Sequence, residues 1–189
     1  MEYFEDQTFK NINFQEQPFA KAEYEYCRFE QCNFEGLNLN EVKFIDCIFT
    51  ECNLSLSKIE QTSFQDAKFK NCKLLGMRFD SANPFNLQLE FEGCSLDHSS
   101  FFNCNIRGTK FINCRLLQVD FENAQLSNGS FDGSDLNGSQ FYNSQLEKVD
   151  FRGAQNLLLD PDQNKIKAAK FSLISLPGLL QKHKISVSH

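Results

Sequence analysis

A large apolar residue recurs at every fifth position along most of this chain. The series runs without interruption from Phe4 to Phe79, shifts by two residues, and continues from Phe91 to Phe151. All of its members are Phe, Leu, Ile or Tyr. A period of five matches neither an α-helix, which has 3.6 residues per turn, nor a flat strand, which has a period of two. A short fixed period is instead typical of a solenoid, in which the chain turns a corner once per repeat.

The residue two positions before each of these central residues is usually small. Residues two apart in extended backbone share a face, so the central residue and the small residue both point inward and the other three point outward. Every cysteine of the chain occupies the small position, which predicts free thiols that serve as apolar core spacers and not as disulfides or metal ligands. These cysteines are Cys27, Cys32, Cys47, Cys52, Cys72, Cys94, Cys104 and Cys114.

Three segments show a recognisable five-residue pattern. Residues 114–118 (Cys-Arg-Leu-Leu-Gln), 124–128 (Ala-Gln-Leu-Ser-Asn) and 134–138 (Ser-Asp-Leu-Asn-Gly) match Ala-Asp/Asn-Leu-x-x, with Cys or Ser often replacing Ala. On these motifs the chain resembles the pentapeptide-repeat family over roughly residues 1–156. The resemblance implies an all-β fold, a right-handed quadrilateral parallel β-helix with four repeats per coil. Since Phe alternates with Leu or Ile after the shift, two opposite walls should then carry Phe ladders.

The repeat divides the chain into two expected regions. Residues 1–155 should form the β-helix with a break at 80–90, and residues 156–189 should form a C-terminal cap with a short α-helix near 176–183. The break contains Asn83 and Pro84, a turn-forming pair, and Pro cannot donate to a β ladder. We favour a structural kink or small bulge at this point, and a projecting recognition loop remains the alternative.

The C-terminal region contains more apolar side chains than a cap requires. A solenoid must cover its last coil, because an open edge can pair with other chains. We therefore expect a two-fold dimer contact as well as a cap, with a capped monomer as the alternative. The residues expected at this contact are Leu173, Leu176, Leu179, Leu180 and Ile185.

The sequence offers no arrangement of residues that predicts catalysis. Its three histidines are scattered, it has no Gly-rich phosphate loop, and it has no cluster with metal-ligand spacing. The acids fall on outward positions of a convex rod, away from any cleft that could tune their pKa values. We expect a protein that is not an enzyme and needs no cofactor or metal. No 18-residue apolar run is present, so we expect a cytoplasmic protein away from membranes.

The charge is unevenly distributed. Residues 1–163 hold 14 basic and 25 acidic residues, whereas residues 164–189 hold five lysines and no acid. When every twentieth residue is stacked, acids gather near the N-terminus with Lys43 as the only nearby base, and a second run is opposed only by Lys148 and Arg152. A column of like charges is electrostatically unfavourable unless a basic partner binds to it. The expected partner-binding acids are Glu5, Asp6, Glu25, Asp46 and Asp66, then Asp120, Glu122, Asp132, Asp135 and Asp150, with Glu147 beside the second group.

Two functional hypotheses follow. Within the family, the chain resembles the topoisomerase-protecting members of the Qnr quinolone-resistance and MfpA types. That resemblance implies a homodimer joined at its C-terminal ends, acting as a DNA mimic that binds DNA gyrase or topoisomerase IV without contacting nucleic acid itself. The chain departs from the Qnr pattern because Phe4–Phe79 is uninterrupted where those proteins carry a projecting loop. The alternative is a general protein-interaction scaffold with no topoisomerase partner.

Overall fold

A computed structural model describes residues 2–185, and it confirms a four-sided parallel β-helix. Each coil spans four repeats and places one central residue on each of four walls. We name the walls A to D in chain order by their central residues. Wall A holds Phe4, Tyr24, Phe44, Phe64, Ile106, Leu126, Leu146 and Ile166. Wall B holds Phe9, Phe29, Phe49, Phe69, Phe91, Phe111, Phe131, Phe151 and Phe171. Wall C holds Phe14, Phe34, Leu54, Leu74, Leu96, Leu116 and Leu136, and wall D holds Phe19, Leu39, Ile59, Phe79, Phe101, Phe121 and Phe141.

Regular strands occur on two of the walls. The sheet on wall A has the order β1-β3-β5-β7, and the sheet on wall B has the order β2-β4-β6-β8-β9-β10. All pairings are parallel and join residues one coil apart, as Phe4 joins Tyr24 and Phe9 joins Phe29. Isolated parallel bridges join the coils on walls C and D, and they also join the later coils on walls A and B. The strands are β1 Glu2–Glu5, β2 Thr8–Lys10, β3 Ala22–Glu25, β4 Arg28–Glu30, β5 Lys43–Ile45, β6 Ile48–Thr50, β7 Ser63–Gln65, β8 Ala67–Lys70, β9 Leu89–Glu92 and β10 Lys110–Ile112.

The break at residues 80–90 is a bulge on wall A. A short 3-10 helix, Phe79–Ser81, precedes it. Across the bulge the bridged partners are two positions further apart in sequence than in the other coils: Ala67 pairs with Leu89 on wall B, and Lys73 pairs with Ser95 on wall C. Wall D continues in the same way. The two additional residues are therefore accommodated on one wall, and the stacking of the other three walls is not interrupted.

The core contains the expected Phe ladders. The nine Phe rings of wall B stack from coil to coil with centroids 4.8–5.5 Å apart. The opposite wall D carries a second stack that begins at Phe79, just before the bulge, and runs through Phe101 and Phe121 to Phe141, which confirms the prediction of ladders on opposite walls. The ladder does not end at Phe151 as the sequence suggested, because Phe171 stacks on it at 5.5 Å.

The small inward position has a second role besides size. Its side chain donates a hydrogen bond to a carbonyl oxygen of the preceding coil, as Ser144 Oγ does to Phe121 (2.8 Å) and Thr62 Oγ1 does to Leu39 (2.7 Å). Cys47 Sγ makes the corresponding contact with Tyr24 O at 3.3 Å. The Phe121 and Leu39 carbonyls also accept a backbone N–H, from Ala124 and Val42, each at 3.1 Å, so the side chain supplies a second hydrogen bond to each. From the sequence alone these residues are recognisable only as small.

The eight cysteines are all buried and free, as predicted. Five of them stack at the small position beside wall C, where Cys32 N–H approaches Cys52 Sγ at 3.4 Å and Cys72 N–H approaches Cys94 Sγ at 3.4 Å. Burial raises the pKa of the Cys47 thiol to about 12. A thiol that stays protonated and inaccessible is a poor nucleophile and a poor metal ligand.

Most corners of the coil use left-handed backbone. At these corners the residue two positions after the central residue has a positive φ, for example 51° at Asp46, 52° at Asn113 and 69° at Gly133. Asn, Asp and Gly adopt this region most readily, which explains why they recur at this position. Leu56 is an exception, with a φ of 59° and a side chain that is 63% exposed.

The C-terminal segment closes the end of the rod. It contains 3-10 turns at Pro161–Gln163, Leu173–Ser175 and Gln181–His183 and the predicted short helix, α1, at Leu176–Leu180. Leu179 is buried, and Leu159 N–H donates to Gly178 O at 3.3 Å, so the helix packs on the last coil. Coil stacking itself continues past residue 155 through bridges at Lys165 and Lys170. The division into two regions at 155 stays a prediction.

Candidate partner-binding surface

The N-terminal acids lie together on wall A and on the corner between walls A and B. Glu5 and Glu25 are direct neighbours in β1 and β3. Asp6 and Asp46 occupy the left-handed corner two coils apart, with Tyr26 in the same column between them. This group, Glu5, Asp6, Glu25 and Asp46, is hereafter called the N-terminal acidic patch.

Neighbouring groups partly balance this patch. Tyr3 Oη donates to Glu25 Oε2 at 2.5 Å, and that bond raises the pKa of Tyr3. Lys43 pairs with Glu23 at 2.9 Å, so it is not free to neutralise the patch. Arg28 lines the same hollow as Asp6 and Asp46. The expectation that Lys43 is the only base nearby is therefore wrong.

Asp66 has a different environment from the other N-terminal acids. The Gln88 amide, with its nitrogen toward the carboxylate, donates to both oxygens of Asp66 at 2.7 and 3.0 Å. Lys68 and Arg107 line the same hollow. Because Gln88 belongs to the bulge, this contact joins Asp66 to the bulge.

The second group of predicted acids does not form one surface. Asp120 and Glu122 lie on wall D, Asp132 and Asp150 lie on wall B, and Asp135 lies on wall C. Walls B and D are opposite each other. A flat partner could contact only part of this group at one time.

Several acids are paired with bases, often one coil away. Lys10 pairs with Glu30 at 2.8 Å, and Lys21 pairs with Glu41 at 2.7 Å, in both cases between successive coils. Asp150 pairs with Arg152 at 2.7 Å, and the Arg152 hydrogen bond lowers the pKa of Asp150 to about 2. Such pairs reduce the negative field that a partner would meet.

Wall D carries a column that the sequence analysis missed. One outward position holds Asp80, Phe102, Glu122, Tyr142 and Asp162 in successive coils. The Phe102 and Tyr142 side chains are 42% and 53% exposed. This column can be found in the sequence by aligning residues that are one coil apart. Two extra positions must be added where the coil crosses the bulge and none after it. The two end carboxylates are already paired, Asp80 with Arg78 and Asp162 with Lys182.

The predicted dimer residues differ in their availability. Leu173, Leu176 and Ile185 are exposed, with Leu173 at 85%, and Leu180 is half-buried. Leu179 faces the core and is not available to a partner. Ile174, at 88% exposed, was not predicted and lies directly beside Leu173.

Two general properties bear on the kind of site. Across residues 2–185, no group of three or more His, Cys, Asp or Glu side chains is arranged to hold a metal ion. In the same span, no helix has the length and apolar character needed to cross a lipid bilayer.

Comparison with known proteins places this fold. The family model for the pentapeptide repeat region matches residues 22–90 and 88–156. No curated protein matches the sequence. Two trypsin-treated variants of QnrB1, a plasmid-mediated fluoroquinolone resistance protein, are structurally similar: one has a TM-score of 0.78 at 18% identity over 100% of this chain and 92% of that chain, and the other has 0.65 at 16% over 99% and 98%.

A third solved structure extends the likeness beyond resistance proteins. HetL from the cyanobacterium Nostoc sp. strain PCC 7120, a pentapeptide repeat protein involved in regulation of heterocyst differentiation, has a TM-score of 0.61 at 15% identity, over 91% of this chain and 87% of that chain. At these identities the structural likeness establishes the fold. Together with the family model, which covers well over half of the sequence, it leads to one assignment: the chain belongs to the pentapeptide-repeat family.

Proposed function

We propose that this chain is a non-enzymatic binding protein, whose acidic rod binds a type II topoisomerase, DNA gyrase or topoisomerase IV, in place of DNA. The N-terminal acidic patch supports the proposal. Its carboxylates lie on a straight wall with coils about 4.8 Å apart. One DNA strand carries a phosphate about every 3.4 Å, so a groove built for DNA meets a comparable density of negative charge.

The proposed partner contact is with protein and not with nucleic acid. A wall that carries Glu5, Asp6, Glu25 and Asp46 repels phosphates and attracts a basic groove. QnrB1, whose fold this chain shares, is a fluoroquinolone resistance protein, which supports a topoisomerase as the partner. The proposed location is the cytoplasm, where that partner works.

We also propose a homodimer through the C-terminal end. The adjacent exposed side chains Leu173 and Ile174 support it, because contiguous exposed apolar surface commonly marks an interface. Light scattering at 500 mM NaCl, where association driven by charge is suppressed, should give a monomer mass for Leu173→Glu with Ile174→Glu, whereas Phe102→Glu on wall D should not change the mass. Leu179→Glu is unsuitable, because that side chain is buried. A double variant with the wild-type dimer mass would refute this interface.

A supercoiling assay with purified DNA gyrase, with and without ciprofloxacin, tests the topoisomerase proposal. Asp6→Lys with Asp46→Lys should abolish any effect on supercoiling or on drug inhibition. Glu51→Lys with Glu60→Lys is the matched control, since it makes the same charge change away from wall A and should retain the effect. Absence of any effect of the wild-type chain at micromolar concentration would reject a gyrase partner.

A general interaction scaffold is the second candidate. The distribution of Asp120, Asp132 and Asp135 over three different walls favours it, because no single basic groove can engage all three. The cross-coil pairs such as Lys10 with Glu30 favour it too, since they indicate a solvated surface of balanced charge. The same gyrase assay separates the two candidates.

A further inference from the structure

Wall A is divided by the bulge into two parts of opposite charge. Four central residues precede the bulge, from Phe4 to Phe64, and four follow it, from Ile106 to Ile166. The outward positions of the first part are acidic and those of the second part are basic. The first part carries Glu5, Asp6, Glu23, Glu25, Asp46 and Asp66 against Lys43, and the second carries Arg107, Lys148, Lys165 and Lys167 against Glu147.

The centre of the same wall presents an aromatic side chain. Phe85, at the tip of the bulge, is 68% exposed. The bulge that carries it is well anchored: Ala82 and Leu87 are buried, Asn83 N–H donates to Thr62 O at 2.9 Å, and Phe85 N–H donates to Asn83 Oδ1 at 3.0 Å. A held loop loses little conformational freedom when it binds.

We propose that wall A is a docking surface for a second copy of this chain, lying antiparallel along it with a two-fold axis through Phe85. Such an interface is isologous, which means that both chains use the same surface. The acidic end of each copy therefore faces the basic end of the other. The rungs of Glu5 and Asp6 then face those of Lys165 and Lys167 of the other copy, and Asp66 lies opposite Arg107. The rung of Glu23 and Glu25 faces one in which Glu147 and Lys148 balance each other, so the attraction comes from the two ends and from the rungs beside the bulge. At the centre, Phe85 contacts Phe85 of the other copy. The interface then has an aromatic core inside a charged rim.

This side-by-side dimer is distinct from the end-to-end dimer proposed above. Its interface is electrostatic and narrow, so we expect weak association that salt suppresses, whereas an apolar end contact is little affected by salt. It also covers the N-terminal acidic patch. A topoisomerase and the second copy would therefore compete for the same wall, but the side-by-side dimer does not depend on that partner.

Sedimentation velocity on the full chain tests the proposal, with Leu173→Glu and Ile174→Glu present throughout to remove the end contact. At 20 mM NaCl and 100 µM protein we expect a compact dimer, and at 500 mM NaCl at least tenfold weaker association. A monomer under the low-salt condition would overturn the proposal.

A charge-swap pair then tests the antiparallel arrangement. Lys165→Glu with Lys167→Glu makes both ends of wall A acidic, and Glu5→Lys with Asp6→Lys makes both ends basic. Each variant alone should be monomeric at 20 mM NaCl, and an equimolar mixture should restore a heterodimer. No heterodimer in the mixture would overturn the antiparallel pairing. Lys58→Glu with Lys73→Glu, which reverses two exposed lysines on walls D and C, should dimerise like the parent.

The position of the two-fold axis has its own test. Phe85→Ser should weaken the low-salt dimer about tenfold, because it removes the central aromatic contact. Phe102→Ser, the matched exposed ring on wall D, should leave the association unchanged. Equal effects of the two substitutions would contradict an axis at Phe85.

Discussion

The two halves of the rod, before and after the bulge at residues 80–90, bury similar side chains in different arrangements. Before the bulge every coil carries rings on the adjacent walls A and B, as Phe44 and Phe49 do with an edge-to-face contact at 5.2 Å, and some of these coils carry further rings on walls C and D. In the second half they lie on opposite walls, as Phe111 and Phe121 do with an edge-to-face contact at 5.6 Å. The contact geometry is kept although the walls differ.

This difference shows what a coil must provide. The coil of Phe44 and Phe49 is completed by Leu54 and Ile59, and the coil of Phe111 and Phe121 is completed by Ile106 and Leu116. In these two coils, two rings and two aliphatic side chains fill the cross-section. The first coil instead holds four rings, and Phe4 with Phe9 keeps an edge-to-face contact at 6.0 Å. The edge-to-face contact between neighbouring rings is therefore what these coils share, whereas the number of rings and the choice of wall vary.

The largest expected effect is the loss of a ladder ring in either half. Phe49→Ala and Phe111→Ala each remove a fully buried ring from the wall B stack, so each should lower the free energy of unfolding by about 3–5 kcal/mol. Urea denaturation measures both. Similar values would support equivalent packing in the two halves, and a loss below about 1 kcal/mol in one half would show that its core is looser.

The small inward position should distinguish hydroxyl from thiol. Ser144→Ala removes the 2.8 Å hydrogen bond to the buried Phe121 carbonyl, which keeps its bond from Ala124 N–H at 3.1 Å, so it should cost about 0.5–1.5 kcal/mol. Cys47→Ala, in the first half, removes only a weak S–H donor and should cost less. Urea denaturation compares them, with Ser144→Cys as an intermediate. Equal losses for the two alanine variants would contradict a hydrogen-bonding role.

Leu56 should be a site of stabilisation in the first half. Its backbone is left-handed and its side chain is mostly exposed, so Leu56→Asn relieves backbone strain at little loss of apolar burial. We expect a gain of about 0.5–1 kcal/mol, measured as a higher melting temperature. The same exchange reversed in the second half, Asn113→Leu, should lower the melting temperature. A loss on Leu56→Asn would indicate that Leu56 makes a contact worth more than the strain.

The smallest expected effect concerns Asp150 in the second half. Its pKa is lowered to about 2 by Arg152, so the pair stabilises the folded chain above the ordinary Asp pKa, and that stability is lost as the pH falls toward 2. The pair is near the surface, so the contribution should be below about 1 kcal/mol. Asp150→Asn should narrow the difference in melting temperature between pH 6 and pH 3. An unchanged difference would show that the pair contributes nothing.

The fold could be predicted because one period determines both the walls and the interior. The spacing of Phe4, Phe9 and Phe14 identifies three successive walls without reference to any contact. The end of the ladder could not be placed in the same way, because residues 156–165 lack the central pattern and Phe171 is joined to Phe151 only by an intact coil between them.

The candidate site was less predictable. One part of it was predictable: Asp120, Asp132 and Asp135 are not a whole coil apart, so their spacing already places them on different walls and argues against grouping them as one surface. The pairing of Asp66 with Gln88 depends on how the bulge folds back, and the burial of Leu179 depends on how the short helix rotates onto the last coil. Neither follows from a five-residue period.

The four-repeat coil has a consequence for how such a rod can change in length. The position of a repeat within the coil determines which of the four walls it occupies. A duplication of one whole coil lengthens the rod and leaves every downstream side chain on its own wall, whereas a gain or loss of a single repeat turns everything beyond it by a quarter. The two additional residues near Phe85 are neither a whole coil nor a whole repeat. They are tolerated because they bulge out of wall A and the next coil resumes in register with the coil before it. Surfaces beyond the bulge thus keep their direction, so a partner that reads one wall still finds it continuous.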